Sequence, residues 1–274
     1  MHHGQRPGGG RRLQAPAPDT YHTRRNPEHE RSNIAPAAPP HYAAAENEEG
    51  QKIRYVRISY ELTPDDPVPL GMPPMTLRRR SDMARGDGSN ILELTLNTHV
   101  GTHVDTPRHF IADGLSLTDF TAAEFVFARP ACVEVPLDDG ELVRAEHLEA
   151  HAPAIAGADL LLVRTGHSAV RASDPGRYSL YSPGFSVAGA RFLREEFPGL
   201  RALGLDTISL ACMQHVDEGC EAHRILLGGA GRRFFLFEDM DLSEDLAGLR
   251  RVIALPLMVA RADGGPCTIL AELI

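Results

Sequence analysis

His99-Val-Gly-Thr-His103-Val-Asp105-Thr-Pro-Arg-His109 follows directly on Ile91-Leu-Glu-Leu-Thr-Leu-Asn-Thr, and residues 91–109 are the most informative part of the chain. Apolar and polar side chains alternate from Ile91 to Val100, which predicts a strand. His99, His103, Asp105 and His109 all carry odd numbers, so continued alternation would bring them to one face of that strand. A straight strand separates residues four apart by about 13 Å, too far to share one ion. The chain is therefore expected to bend between His99 and His103, and Gly101 is the position where a bend costs least and where a missing side chain leaves room for an ion. Pro107 is expected to end the strand and turn His109 away from its neighbours.

Neutral imidazoles with a carboxylate, and no thiolate nearby, suit Zn²⁺, Mn²⁺ or Fe²⁺. Three protein ligands with open positions are the pattern of a catalytic rather than a structural site. A lone H-x-x-x-H arises readily by chance. Asp105 two residues on, His109 beyond it, and the Gly, Thr and Pro between them make this one a site.

Working outward, residues 53–62 alternate as a half-buried strand, and a Pro-rich loop runs from Thr63 to Pro74. Short apolar strands are expected at 131–135, 160–163, 203–210, 234–237, 251–259 and 268–274. Residues 142–150 have helical spacing. Residues 186–197 read as a helix with Ser186 as N-cap and Pro198-Gly199 as its stop. Strands outnumber helices and arrive singly, which predicts a mixed α/β domain with a substantial sheet.

Composition separates the chain into two parts. Residues 1–50 hold seven of the 21 Pro and five of the 25 Gly, but only Leu13 and Ile34 from the Leu, Ile, Val and Phe set. Burial there cannot offset ordering entropy, so a disordered tail is expected. The tail's six Arg cancel its six acids, leaving the net charge of −9 on a 51–274 domain, which is long enough for one well-buried core. An acidic body argues against a nucleic-acid surface, and no apolar run reaches the roughly 18 residues of a membrane span. Arg11-Arg12 has no apolar run behind it, so no secretory signal is expected. The four Cys form no C-x-x-C, which fits a reducing, cytoplasmic setting with the thiols as small core residues. Lys52 is the single lysine, and its context suits neither a Schiff base nor a phosphate loop. Five of the 13 His lie in the tail with no shared spacing and carry no assigned role.

The pattern H-x-G-T-H-x-D-x-P-x-H resembles the signature of the cyclase family of metal-dependent hydrolases, which includes bacterial kynurenine formamidases and isatin hydrolases. The resemblance extends through Gly204-Leu-Asp-Thr207, the Glu221-Ala-His223-Arg-Ile-Leu-Leu segment and Leu236-Phe-Glu238-Asp-Met-Asp-Leu242, and leaves out residues 1–50. It implies a swivelling β/β/α domain, a mixed sheet with helices packed outside. It implies that His99, His103 and Asp105 ligate a first divalent metal, Zn or Mn, and that His109 is the catalytic acid/base. In members with two ions Asp105 bridges, and His223 with Glu238 completes the second site. The activity implied is hydrolysis of a small C–N amide, as in an arylformamidase, by a homodimer or homotetramer. The alternatives are isatin-type opening of a lactam and a metal-containing binding protein without turnover; His109 separates the last, since a binding module has no need of it.

Other residues stand apart from this set. His215, Asp217 and Glu218 either line the pocket or form a polar loop, and His167 reads as a loop histidine. Gly228-Gly-Ala-Gly231 lacks the Lys-Ser/Thr of a phosphate loop and reads as a turn. Phe110, Phe120, Phe125 and Phe127 either face an aromatic substrate or fill the core.

Overall fold

The structure is a computed structural model that describes residues 45–46, 50, 52–229 and 233–274. The tail expected over 1–50 lies outside the described residues except for Ala45, Glu46 and Gly50, and so do the last two residues of Gly228-Gly-Ala-Gly231. In chain order the first elements are the strands β1 Ala45–Glu46, β2 Lys52–Arg57, β3 Thr76–Ser81, β4 Ile91–Thr95, β5 His103–Asp105, β6 Val126–Phe127, β7 Pro130–Glu134 and β8 Leu142–Val143. Helices α1 Ala145–Glu149 and α2 Ala152–Ile155 precede β9 Leu160–Arg164, and α3 Ser168–Ser173 and α4 Pro175–Tyr181 precede β10 Gly184–Phe185. Then come α5 Val187–Glu196, β11 Ala202–Leu205, α6 Val216–Leu227, β12 Phe235–Glu238, β13 Leu249–Pro256 and β14 Gly264–Leu273.

The principal sheet is mixed and nearly closed, in the order β1-β2-β14-β5-β12-β11-β9-β7, with β13 pairing β14 and β6. Strands β7, β9, β11 and β12 run parallel, while β5 is antiparallel to both of its neighbours, β12 and β14. Helices cover the outside, as the resemblance implies. The parallel strands are apolar on both faces because both faces are covered. Leu160 and Leu162 of β9 pack with Val56, Val252 and Ile269 of the other strands. Leu161 and Val163 meet Ala190 and Leu193 of α5 and Ala222 and Leu226 of α6. Among the described residues no helix is long and apolar enough to cross a membrane.

Helix α5 follows its sequence signals. The Ser186 hydroxyl accepts from the Gly189 N–H at 3.0 Å, and the helix ends at Glu196, just before Pro198. Several expectations need correction, among them the strand read over 53–62, which ends at Arg57. The strand read from Ile91 to Val100 stops at Thr95, and β4 pairs with β3 in a hairpin outside the principal sheet. Its alternation does not mark a core face, because Ile91, Leu92 and Leu94 are all about half exposed. Residues 142–150 divide into β8, which pairs with β10, and α1. The strand read over 203–210 ends at Leu205. The sequence reading also assigned no element to 216–227, where α6 lies with Asp217 and Glu218 in its first turn, the favourable end for acids.

Candidate metal centre

Strand β5 places the first two site residues. His103 and Asp105 point to one face, while Val104 points into the apolar core between them. The pairing register sets Glu238 of β12 opposite His103 and Gly264 of β14 opposite Asp105. Gly101 has φ 60°, the left-handed conformation that permits the expected bend, and a Cβ there would collide with Leu62. His99 is thus carried to the site by a turn and not by a strand face, and its Nδ1 lies 2.8 Å from Asp105 Oδ1.

Pro107 does end the strand, but it does not turn His109 away. Residues 107–109 form a single 3₁₀ turn, with the His109 N–H bonded to Thr106 O at 2.9 Å. That turn swings the ring back, so its centroid lies 4.0 Å from that of His99. Its Nε2 is 4.0 Å from Asp105 Oδ2.

Helix α6 supplies His223, whose Nδ1–H donates to Gly219 O one turn earlier at 2.8 Å. Its Nε2 then faces Glu238 Oε1 at 3.2 Å and Asp105 Oδ2 at 3.8 Å. Glu238 Oε1 also accepts from the Leu210 N–H at 2.6 Å. The Phe110 ring stacks on the His223 ring at 4.3 Å and meets His109 edge-on at 4.8 Å. Phe120, Phe125 and Phe127 belong to the core.

Asp105 sits at the centre of the cluster. Its Oδ1 faces His99 and His103, its Oδ2 faces His223 and His109, and the residue is wholly buried. Asp105 Oδ2 and His103 Nε2 are buried without a hydrogen-bond partner. A buried polar atom left unpaired costs free energy, and two such atoms aimed at one small space fit a cation there. His99, His103 and Asp105 can bring ligand atoms within 4.8 Å of one another, and so can Asp105, His223 and Glu238. Imidazole and carboxylate donors without thiolate suit a divalent metal.

The electrostatics agree with that donor set. Burial works against charge on His99, yet Asp105 and Asp263 outweigh it and push the imidazole up to about 10. His103 and His223 are also raised against burial, chiefly by Glu238. Burial opposes ionisation of Glu238 too, but the imidazoles of His103, 3.3 Å away, and His223, 3.2 Å away, outweigh it and hold its carboxyl well below the usual range. Protons on the imidazoles therefore balance the carboxylates, and a divalent cation would balance the same groups with release of those protons.

One member of the cluster carries no signal in the sequence. Asp263, just before β14, lies 2.8 Å from His99 Nε2 and 3.2 Å from His109 Nδ1. It precedes Gly-Gly-Pro and reads there as an ordinary turn acid. The other candidates stay outside. His215, Asp217 and Glu218 are exposed, with Glu218 accepting from the Val187 N–H. His167 is buried against Asp139.

The profile of the family described as putative cyclase matches residues 40–211, which include His99 to His109 and stop short of His223, Glu238 and Asp263. Cyclase-like protein 1 of Arabidopsis thaliana is 29% identical over 227 residues, covering 80% of this chain and 84% of that protein. Kynurenine formamidase of Delftia acidovorans is 31% identical over 177 residues, covering 65% and 77%. The solved structure of isatin hydrolase A from Labrenzia aggregata bound to benzyl benzoate superposes with a TM-score of 0.67 at 25% identity, over 81% of this chain and 94% of that one. With the profile matching most of its length and the signature residues gathered at one buried point, the chain belongs to the putative cyclase family.

Proposed function

We propose that this protein is a metal-dependent hydrolase of a small C–N amide, acting as an arylformamidase that converts an N-formylarylamine and water to the arylamine and formate. The observation that carries the reading is the pair of unpartnered buried atoms, Asp105 Oδ2 and His103 Nε2, inside a donor set of imidazoles and carboxylates. His99, His103 and Asp105 would hold one divalent ion, Zn²⁺ or Mn²⁺, and Asp105 with His223 and Glu238 a second. Such an ion supplies Lewis acidity, polarising a carbonyl and making water acidic near neutral pH.

The protein's own groups do the rest. His109 has its Nε2 turned toward Asp105 and stands a quarter exposed at the edge of the buried cluster, where a substrate can reach it. It takes a proton from water and delivers it to the departing amine nitrogen. Asp105, pressed among imidazoles and held below the usual carboxyl range, remains an anion and serves as a ligand. Phe110 keeps the far side of His223 apolar and excludes water there.

The likeness to kynurenine formamidase and the likeness to isatin hydrolase A support two readings of the substrate, an aryl formamide and a fused lactam. The test assays metal-replete protein on N-formylkynurenine, isatin and an activated lactone, with and without EDTA, beside His109→Ala. Faster turnover of N-formylkynurenine supports the formamidase reading, and faster turnover of isatin replaces it with lactam opening. Activity indifferent to both EDTA and His109→Ala refutes the mechanism. Saturable ligand binding without turnover of any substrate would make the protein a binding module. A homodimer or homotetramer is part of the proposal, supported by the half-exposed Leu92 and Leu94 on the β3–β4 hairpin. Light scattering should give a mass of two or four chains, and Leu92→Lys with Leu94→Lys should reduce it.

A further inference from the structure

A histidine that binds a metal or takes a proton must present a lone pair on one ring nitrogen, and the acceptor on its other nitrogen decides which one that is. Two histidines of the cluster settle this with backbone carbonyls. His103 Nδ1 donates to Gly101 O and His223 Nδ1 donates to Gly219 O, each at 2.8 Å, so both present Nε2 to the site. The remaining two have no carbonyl in that role. The outward nitrogen of His99 is Nε2, that of His109 is Nδ1, and both meet the same atom, Asp263 Oδ2, at 2.8 and 3.2 Å.

We propose that Asp263 is a positioning residue whose single Oδ2 accepts from both rings and so fixes the tautomers of His99, a metal ligand, and His109, the proton carrier; this rests on the function proposed above. With Nε2–H of His99 held by Asp263, Nδ1 can give up the proton it shares with Asp105 Oδ1 at 2.8 Å and offer its lone pair to an ion beside that oxygen. Resolving the tautomer of His109 turns its Nε2 lone pair the same way. The two rings lie 4.0 Å apart and tilted by 35°, a contact that one carboxylate oxygen can bridge.

Asp263 is itself held on three sides. Its Oδ1 accepts from the Thr98 hydroxyl at 3.0 Å, and its backbone oxygen accepts from the Thr106 N–H at 2.9 Å and the Thr106 hydroxyl at 2.8 Å. Thr98 and Thr106 flank the signature, so the Asp263 turn is fastened at both ends of the segment it orients. The next residue, Gly264, pairs with Asp105 across β14 and β5. A Cβ at Gly264 would collide with the Val104 carbonyl, and only glycine lets the Asp263 turn approach this closely. Ligand atoms of Asp263, His99 and His109 also lie within 4.8 Å of one another, so ligation is the competing role that the experiment must separate.

The experiment compares wild type, Asp263→Asn and Asp263→Ala, using Zn²⁺ alone as the probe and chelator competition to read affinity. Asp263→Asn keeps the shape and the backbone anchors, so it remains informative if Asp263→Ala does not fold. The expected result is a 10–100-fold loss of Zn²⁺ affinity at unchanged stoichiometry, the range for removing an outer partner of a metal-bound histidine. Long-range ¹H–¹⁵N spectra of the zinc-loaded protein should show His109 as one Nδ1–H tautomer in wild type and a tautomer mixture in the variants. Unchanged affinity with an unchanged tautomer overturns the inference. Loss of a whole equivalent of Zn²⁺ also overturns it, making Asp263 a ligand. Both readouts are independent of substrate, so failure of the hydrolase reading would appear separately, as no turnover by a wild type that still behaves as expected here.

Discussion

Arg171→Met should unfold the protein far more readily than its distance from the signature suggests. Arg171 reaches from α3 to Asp239, the residue after Glu238, with Nε to Oδ1 at 2.7 Å and Nη2 to Oδ2 at 2.8 Å. Both side chains are buried, at 8% and 2% exposure. Asp239 is a non-glycine residue at φ 50°, a conformation that the surroundings must impose. Those surroundings are the guanidinium, the Tyr178 hydroxyl at 2.8 Å, and Thr102, whose hydroxyl donates to Asp239 O. Removing the guanidinium leaves the buried Asp239 carboxylate with Tyr178 as its remaining side-chain donor, and takes a longer 3.4 Å contact from Asp66, which keeps the Thr63 N–H at 2.8 Å. Breaking a buried pair from one side costs about 3–5 kcal/mol, and the retained tyrosine bond places this case near 3. At roughly 2–4 °C per kcal/mol for a domain of this size, the midpoint should fall by about 6–12 °C. Urea unfolding and thermal melts by circular dichroism measure it. Arg171→Met with Asp239→Asn removes both charges and should recover most of the loss, as a double-mutant cycle reads directly. A single-variant cost below about 1 kcal/mol, or a double variant no better than the single, would refute the buried-pair argument.

Three further outcomes test other parts of the molecule. Gly101→Ala should cost about 1–2 kcal/mol for a side chain in left-handed backbone, read in the same melts, and should weaken Zn²⁺ binding by displacing His99 relative to His103. His223→Ala should lower bound metal by one equivalent per chain in elemental analysis while leaving the His99–His103–Asp105 group loaded; unchanged content would refute a second ion. Glu124 is held below its usual pKa: burial opposes this, but the Thr121 N–H and Arg233 outweigh it. Its contribution is therefore present above about pH 4.5 and lost as pH falls through the lower folded value. Glu124→Gln should melt below wild type at pH 7, with the difference shrinking as pH falls below about 4.5.

Some of this was legible in the chain because it depends on short-range rules. The eleven residues from His99 name the chemistry, Gly101 marks the bend, Ser186 marks a helix start, and apolar runs such as Leu160 to Val163 mark strands buried on both faces. Other features depend on partners distant in sequence. Ile91 to Leu94 alternate as a core strand would, yet they lie in an exposed hairpin, because alternation records two faces and not what covers them. His109 returns to the cluster through one turn after Pro107, a matter of backbone angles that residue types leave open.

Residue types and their spacing are enough to establish which donors are present, that His99 to His109 form one local group, and to which family the chain belongs. The rest of the site comes from contacts between distant segments. Glu238 meets His103 through the β12–β5 register, His223 arrives on α6, and Asp263 reaches His99 from 164 residues away across the β14–β5 pairing. A carboxylate in a turn becomes an orienting group when a strand pairing brings it within 3 Å of an imidazole, and no local pattern encodes that pairing.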